Sequence, residues 1–123
     1  MADPVIIQNK LYGTVVVHAS SNCTVVAAGN STVSSIATGD EVLKGAIVKQ
    51  VWWGGSDAKD YWTINRNGNT AGIYNGSGHI QYAAFGTSLS INPTANVDLV
   101  FKGTAGYIMI ELQKVANNYP STY

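Results

Sequence analysis

Residues 61–82, YWTINRNGNTAGIYNGSGHIQY, decide the fold class because strand and turn signals alternate within them. Trp62 and Ile64 occupy alternate positions, which places their side chains on one face of a strand. The segments NGN at 67–69 and NGSG at 75–78 supply the Asn and Gly residues that tolerate positive φ angles in tight turns. This stretch therefore predicts a meander of three strands joined by two turns.

The same alternation runs through most of the chain. Residues 97–101 place Val97, Leu99 and Phe101 on one face, and 106–115 do the same with Ile108, Ile110 and Leu112. In EVLKGAIVKQVWW at 41–53 the apolar spacing also suits a helix, but Gly45 and the β-branched residues favour two short strands. We expect an all-β chain forming a single antiparallel β-sandwich or jelly-roll-like domain over 1–123.

Charge is scarce in this sequence. Only 11% of the 123 residues are charged, whereas about 25% is usual for soluble domains. Seven basic residues balance seven acidic ones, so the chain lacks the basic surface that nucleic-acid binding requires. A surface with so little charge favours permanent contact with other protein.

Cys23 is the single cysteine and lies in the apolar segment CTVVAAG, so we predict a buried core thiol without a disulfide. The first residues lack the basic and apolar regions of a signal peptide, and no apolar run is long enough to span a membrane. We therefore expect synthesis in a cytoplasm and no membrane partner.

No pattern in the sequence points to catalysis. His18 and His79 have no third ligand at metal spacing, and Asp57 and Asp60 lack the arrangement of a calcium loop. Nucleophile and phosphate-binding motifs are also missing. The expectation is a non-enzymatic protein with no catalytic residue, metal or cofactor.

Aromatic residues cluster in the middle third of the chain and allow two interpretations. They could stack on sugars in a carbohydrate-binding adhesion module, or they could contact other subunits. Trp52 and Trp53 are adjacent, so on a strand they point to opposite faces. We favour subunit contact and predict a partner interface formed by Trp53, Tyr61, Arg66, Tyr74, Tyr82 and Tyr119.

Three elements carry a family resemblance: the strand WTINR at 62–66, the turn NGSGHIQY at 75–82 and the closing strand GYIMIELQK at 106–114. With them, the C-terminal two-thirds of the chain resembles small β-sandwich structural proteins of tailed bacteriophages, particularly of marine hosts. The resemblance implies a virion protein that decorates or cements a capsid. Its partners would be the major capsid protein or other virion subunits, in a homo-oligomer with a trimer favoured. A neck or tail component is the alternative.

The two ends of the chain have weak strand patterning beside apolar and aromatic residues. We expect residues 1–9 and 116–123 to act as extended arms that order against neighbouring subunits. Deleting residues 1–9 should then weaken attachment to the particle without unfolding the sandwich.

Overall fold

The computed structural model describes residues 5–10, 13–30, 36–38, 42–82 and 96–116. All regular structure in these ranges is β-strand, as the sequence predicts. No helix there is long and apolar enough to cross a membrane. The strands are β1 (Val5–Asn9), β2 (Thr14–Ala19), β3 (Cys23–Val25), β4 (Gly29–Asn30), β5 (Val42–Gly55), β6 (Tyr61–Arg66), β7 (Asn69–Asn75), β8 (Gly78–Gln81), β9 (Val97–Lys102) and β10 (Gly106–Ala116).

The strands form two antiparallel sheets. The larger has the order β1-β2-β10-β5-β4, with β8 also paired to β5, and the smaller has the order β3-β9-β6-β7. Their inner faces contribute to one apolar core, which makes the domain a β-sandwich. The jelly-roll-like order of connections stays a prediction.

Period-two alternation places the core residues as the sequence predicts. Trp62 and Ile64 from the smaller sheet are buried, and Phe101 packs on Trp62 with ring centroids 4.9 Å apart. The predicted core thiol of Cys23 is also buried. Fully buried positions from the larger sheet are Val15, Val17, Ala46, Val48, Val51, Ile108, Ile110 and Leu112.

The first predicted turn is confirmed, whereas the predicted meander fails at the second. Asn67 and Gly68 have φ angles of 52° and 78°, which is the two-residue hairpin geometry expected between β6 and β7. After Gly76 (φ 63°) the chain leaves the smaller sheet, because β8 pairs with β5 of the larger sheet and not with β7. This second turn therefore connects the two sheets.

One long strand, β5, replaces the two short strands predicted at 41–53. Its pairing with β10 skips Lys49 and Lys44, so each lysine is the extra residue of a β-bulge. After each bulge, the residues of β5 whose side chains face the core are displaced by one position along the sequence. The apolar spacing consequently departs from strict alternation and resembles that of a helix, which explains the ambiguity of the sequence here.

Residues 5–9 of the predicted N-terminal arm form β1, an edge strand that pairs with β2 of the same chain. Their contact with neighbouring subunits stays a prediction. Asn9 is bound at its inner end: Lys114 Nζ donates to Asn9 Oδ1 at 2.6 Å, and Asn9 Nδ2 donates to the Ile36 carbonyl at 3.0 Å. Removing this strand would take a partner from Lys114, which is fully buried. The C-terminal tail beyond residue 116 lies outside the described residues.

Candidate functional site

Three of the predicted interface residues meet each other at one end of the sandwich. The rings of Trp53 and Tyr74 have centroids 4.9 Å apart, and the hydroxyls of Tyr74 and Tyr82 are 2.7 Å apart. Trp53 Nε1 also donates to the Asn75 carbonyl at 2.9 Å. Trp53 and Tyr82 pack against the core and Tyr74 is buried. Burial and the hydrogen bond to Tyr82 raise the pKa of Tyr74 well above its ordinary value.

Burial removes Arg66 and Tyr74 from the predicted partner interface. Arg66 is 1% exposed and Tyr74 is 4% exposed, so neither side chain is presented to a neighbour. Arg66 follows Trp62 and Ile64 on the inward face of β6, and its guanidinium donates to the Ala46 carbonyl at 2.9 Å. Burial lowers the pKa of Arg66, although the negative charge of Asp98 acts in the opposite direction.

The remaining predicted residues are dispersed. Tyr61 is half-buried on the outer face of the smaller sheet, where it pairs with Lys102 and Asn75. Tyr119 lies outside the described residues. The five predicted residues that the structure describes therefore do not form one surface.

A different set of side chains forms a continuous surface on the outer face of the larger sheet. The pairing registers join them into one row that crosses five strands. We call this row the outer stripe: His79 of β8, Trp52 of β5, Met109 of β10, His18 of β2 and Val5 of β1.

Ring stacking shapes the outer stripe. The rings of Trp52 and His79 lie 4.9 Å apart with an interplanar angle of 3°. That separation equals the spacing of neighbouring strands, so the two rings stand upright side by side. His79 covers one face of the indole, and Met109 is its neighbour on the other side. Trp52 therefore presents its edge to the outside, whereas stacking on a sugar requires a free ring face.

Tyr107 extends the outer stripe at one end of the sheet. It is 42% exposed, and its ring stacks on His18 with centroids 5.8 Å apart. The ring also lies against Gly54, where a β carbon would collide with it. A residue larger than glycine at this position would displace Tyr107, so Gly54 helps to hold this aromatic end in place.

A hydrogen-bonded polar row lies beside the outer stripe. His79 Nε2 and Gln50 Oε1 are 2.9 Å apart, and Gln50 Nε2 donates to Glu111 Oε1 at 3.0 Å. Gln81 faces Gln50 across β8 and β5. Because His79 belongs both to the outer stripe and to this polar row, the hydrogen bonds of the row hold that end of the stripe in place.

Asp60 is an acidic residue in a structural position. Asp60 is 4% exposed; it accepts hydrogen bonds from Ser56 Oγ at 3.0 Å and from the Thr104 amide at 3.4 Å. Burial alone would raise the pKa of Asp60, but these hydrogen bonds outweigh it and the net pKa is lowered. Asp60 thereby joins the loop after β5 to the turn after β9.

In the part of the chain that the structure describes, no three His, Cys, Asp or Glu residues are placed to hold a metal ion. His18 and His79 lie on different strands of the larger sheet, and Trp52 and Met109 stand between them in the outer stripe. The outer stripe thus offers ring edges and apolar atoms for contact.

The outer stripe has no local signal in the sequence, since its members come from five separate strands. Adjacent Trp52 and Trp53 did predict that one indole faces outward, and that residue is Trp52, because Trp53 packs against the core. Comparisons of the chain with known proteins found no matching family model, no matching curated protein and no matching solved structure.

Proposed function

We propose that this chain is a non-enzymatic structural protein of a virus particle, which decorates or cements the capsid through protein–protein contacts. The outer stripe is the observation that carries the proposal. The scarcity of charge in the whole sequence and the resemblance of its C-terminal two-thirds to phage structural proteins support it.

The composition of the outer stripe suits the centre of a protein interface. Its five residues include no Asp, Glu, Lys or Arg, and aromatic residues and Met are enriched at interfaces where charged residues are depleted. Four strand spacings give the stripe a length of roughly 19 Å. The polar row of Gln50, Gln81 and Glu111 would form part of a hydrogen-bonding rim.

The end of the stripe on β1 is also apolar. Val5 and Ile7 are 57% and 58% exposed, and Ile6 is 38% exposed. These three consecutive side chains lie on β1, which pairs only with β2 among the described strands and is therefore an edge of the larger sheet. A neighbouring subunit that covers the stripe would cover this edge as well.

The partners in this proposal are the major capsid protein or other virion subunits, together with further copies of the chain, as a trimer in the favoured form. Placement in a neck or tail assembly would use the same surface. The carbohydrate-binding alternative does not gain from Trp52, because His79 stacks on one face of that ring and Met109 is the neighbouring residue on its other side.

A charge placed in the outer stripe tests the proposal. We expect Trp52→Glu to lower the mass measured by light scattering after size-exclusion chromatography, and to abolish co-sedimentation with capsid shells. Ile73→Glu is the matched control: Ile73 is 61% exposed but lies on β7 of the other sheet. Urea unfolding of both variants checks that they remain folded.

Loss of assembly in Trp52→Glu, with assembly retained in Ile73→Glu, is the expected result. A monomeric wild-type chain that does not sediment with shells would refute the proposed function. Equal assembly by both folded variants would remove the outer stripe as its basis.

A further inference from the structure

The outer face of the smaller sheet also has a row of side chains in register, and this row is polar. Thr24, Asp98, Asn65 and Thr70 are joined in register, one from each of β3, β9, β6 and β7. Together with Asn22 they line an open depression with a volume of about 520 Å³. This volume falls in the range of small-molecule sites, which is about 300–1,000 Å³.

Three of these side chains are fixed by hydrogen bonds within the chain. Thr24 Oγ1 donates to Asp98 Oδ1 at 2.8 Å, and Asn22 Oδ1 accepts the Phe101 backbone N–H at 2.7 Å. Because the oxygen of Asn22 faces a backbone donor, its Nδ2 group is directed away from that donor. Fixed polar groups of this kind lose less entropy when a ligand binds.

Several polar atoms of the depression have no hydrogen-bond partner among the described residues. They are Asp98 Oδ2, Asn22 Nδ2, Asn65 Oδ1 and Thr70 Oγ1. They comprise a carboxylate acceptor, an amide donor, an amide acceptor and a hydroxyl that does both. Such a mixture is complementary to vicinal hydroxyl groups, each of which donates one hydrogen bond and accepts others.

We infer that this depression binds a neutral saccharide. Asp98 accepts hydrogen bonds from ligand hydroxyls, the Asn22 amide donates to a ligand oxygen, and Thr70 completes the set. Val100 is half-buried and offers an apolar contact to ring C–H groups. At Gly68 a β carbon would meet nothing within 4 Å, so that side of the depression is open.

Other classes of ligand fit this set of groups less well. Calcium requires six to eight oxygen ligands, and the depression has one carboxylate, of which one oxygen already binds Thr24. The buried Arg66 interacts electrostatically with Asp98, which reduces the attraction for a cation. No Lys or Arg lines the depression, so an anion would meet only the charge of Asp98.

Nuclear magnetic resonance titration of the full chain with neutral mono- and disaccharides tests this inference. The side-chain amide signals of Asn22 and Asn65 are expected to shift. Thr70→Val removes a hydroxyl, and Asp98→Asn replaces an acceptor oxygen and its negative charge with an amide donor; each should weaken binding about tenfold. Thr14→Val makes the same exchange on the larger sheet and should leave the affinity unchanged.

Absence of a shift at Asn22 and Asn65 with every saccharide tested would overturn the inference. So would a shift caused by calcium chloride alone, or binding that persists unchanged in a folded Thr70→Val variant. The site does not depend on the proposed assembly, since saccharide binding should survive Trp52→Glu. Failure of one proposal is therefore distinguishable from failure of the other.

Discussion

Replacing Arg66 with methionine distinguishes a core role from a surface role for the single arginine of the chain. The side chain is 1% exposed, and its guanidinium donates a charged hydrogen bond of 2.9 Å to the Ala46 carbonyl. Methionine keeps an apolar stem but removes this bond and the attraction to Asp98. A hydrogen bond to a charged group contributes about 1.5–3 kcal/mol, and leaving a buried acceptor without that bond adds the cost of its desolvation. We expect the free energy of unfolding to fall by about 2–4 kcal/mol.

Urea unfolding followed by tryptophan fluorescence measures this change, and calorimetry should show a matching fall in Tm. For a domain of this size the fall is roughly 3–5 °C per kcal/mol. Lys102→Met is the matched control, because Lys102 is an exposed cation on the adjacent strand β9; its effect should stay within about 0.5 kcal/mol. If Arg66→Met were as stable as Lys102→Met, the assignment of Arg66 to the core would be refuted.

Three further predictions concern contacts inside the domain. Asn9→Ala should destabilise the fold by about 1–3 kcal/mol in urea unfolding, because the buried Lys114 loses one of its partners; stability equal to wild type would contradict this account of β1. Gly72→Ala should cost about 1–3 kcal/mol, since the new β carbon would lie 2.7 Å from Cζ of the buried Tyr74 ring; a more stable variant would show that Tyr74 moves freely. Asp60 has a pKa below its ordinary 3.8 in the fold, so its stabilising effect is complete above about pH 4 and is lost as the pH falls through the lowered pKa. The difference in the free energy of unfolding between wild type and Asp60→Asn should therefore become smaller at acid pH. A difference that becomes larger there would contradict the claim that hydrogen bonds stabilise the ionised carboxylate of Asp60.

Alternation of side chains was enough to predict most of the core from the sequence. The same rule also places Arg66 after Trp62 and Ile64, and Lys114 after Leu112, on the inward faces of their strands. The sequence interpretation assigned Arg66 to a partner interface, although the alternation puts it on the same face as Trp62 and Ile64. At both positions the strand period, and not the residue type, determined where the side chain lies.

Bulges and sheet changes are harder to predict because they depend on partners distant in sequence. Lys44 and Lys49 become the extra residues of β5 only through its register with β10. Likewise, the turn at Gly76 looks like a hairpin turn in sequence, but β8 pairs with β5. Backbone pairing across such separations is set by the whole fold.

The outer stripe could not be predicted for the same reason. His79, Trp52, Met109, His18 and Val5 come together through four pairing registers, and none of them shares a motif with another. Only the opposite orientation of adjacent tryptophans gave a partial signal. The composition indicated contact with other protein, but the surface that makes this contact could be identified only from the pairing of the strands in the sheet.

Oxidative footprinting of Met109 tests the central claim most directly, because this residue lies in the middle of the outer stripe. The measurement compares peroxide oxidation of Met109, by mass spectrometry, in assembled particles and in the dissociated, folded chain. The proposed contact predicts that Met109 is oxidised in the free chain and protected in the assembly. Equal oxidation rates in the two states would contradict a partner seated on this face.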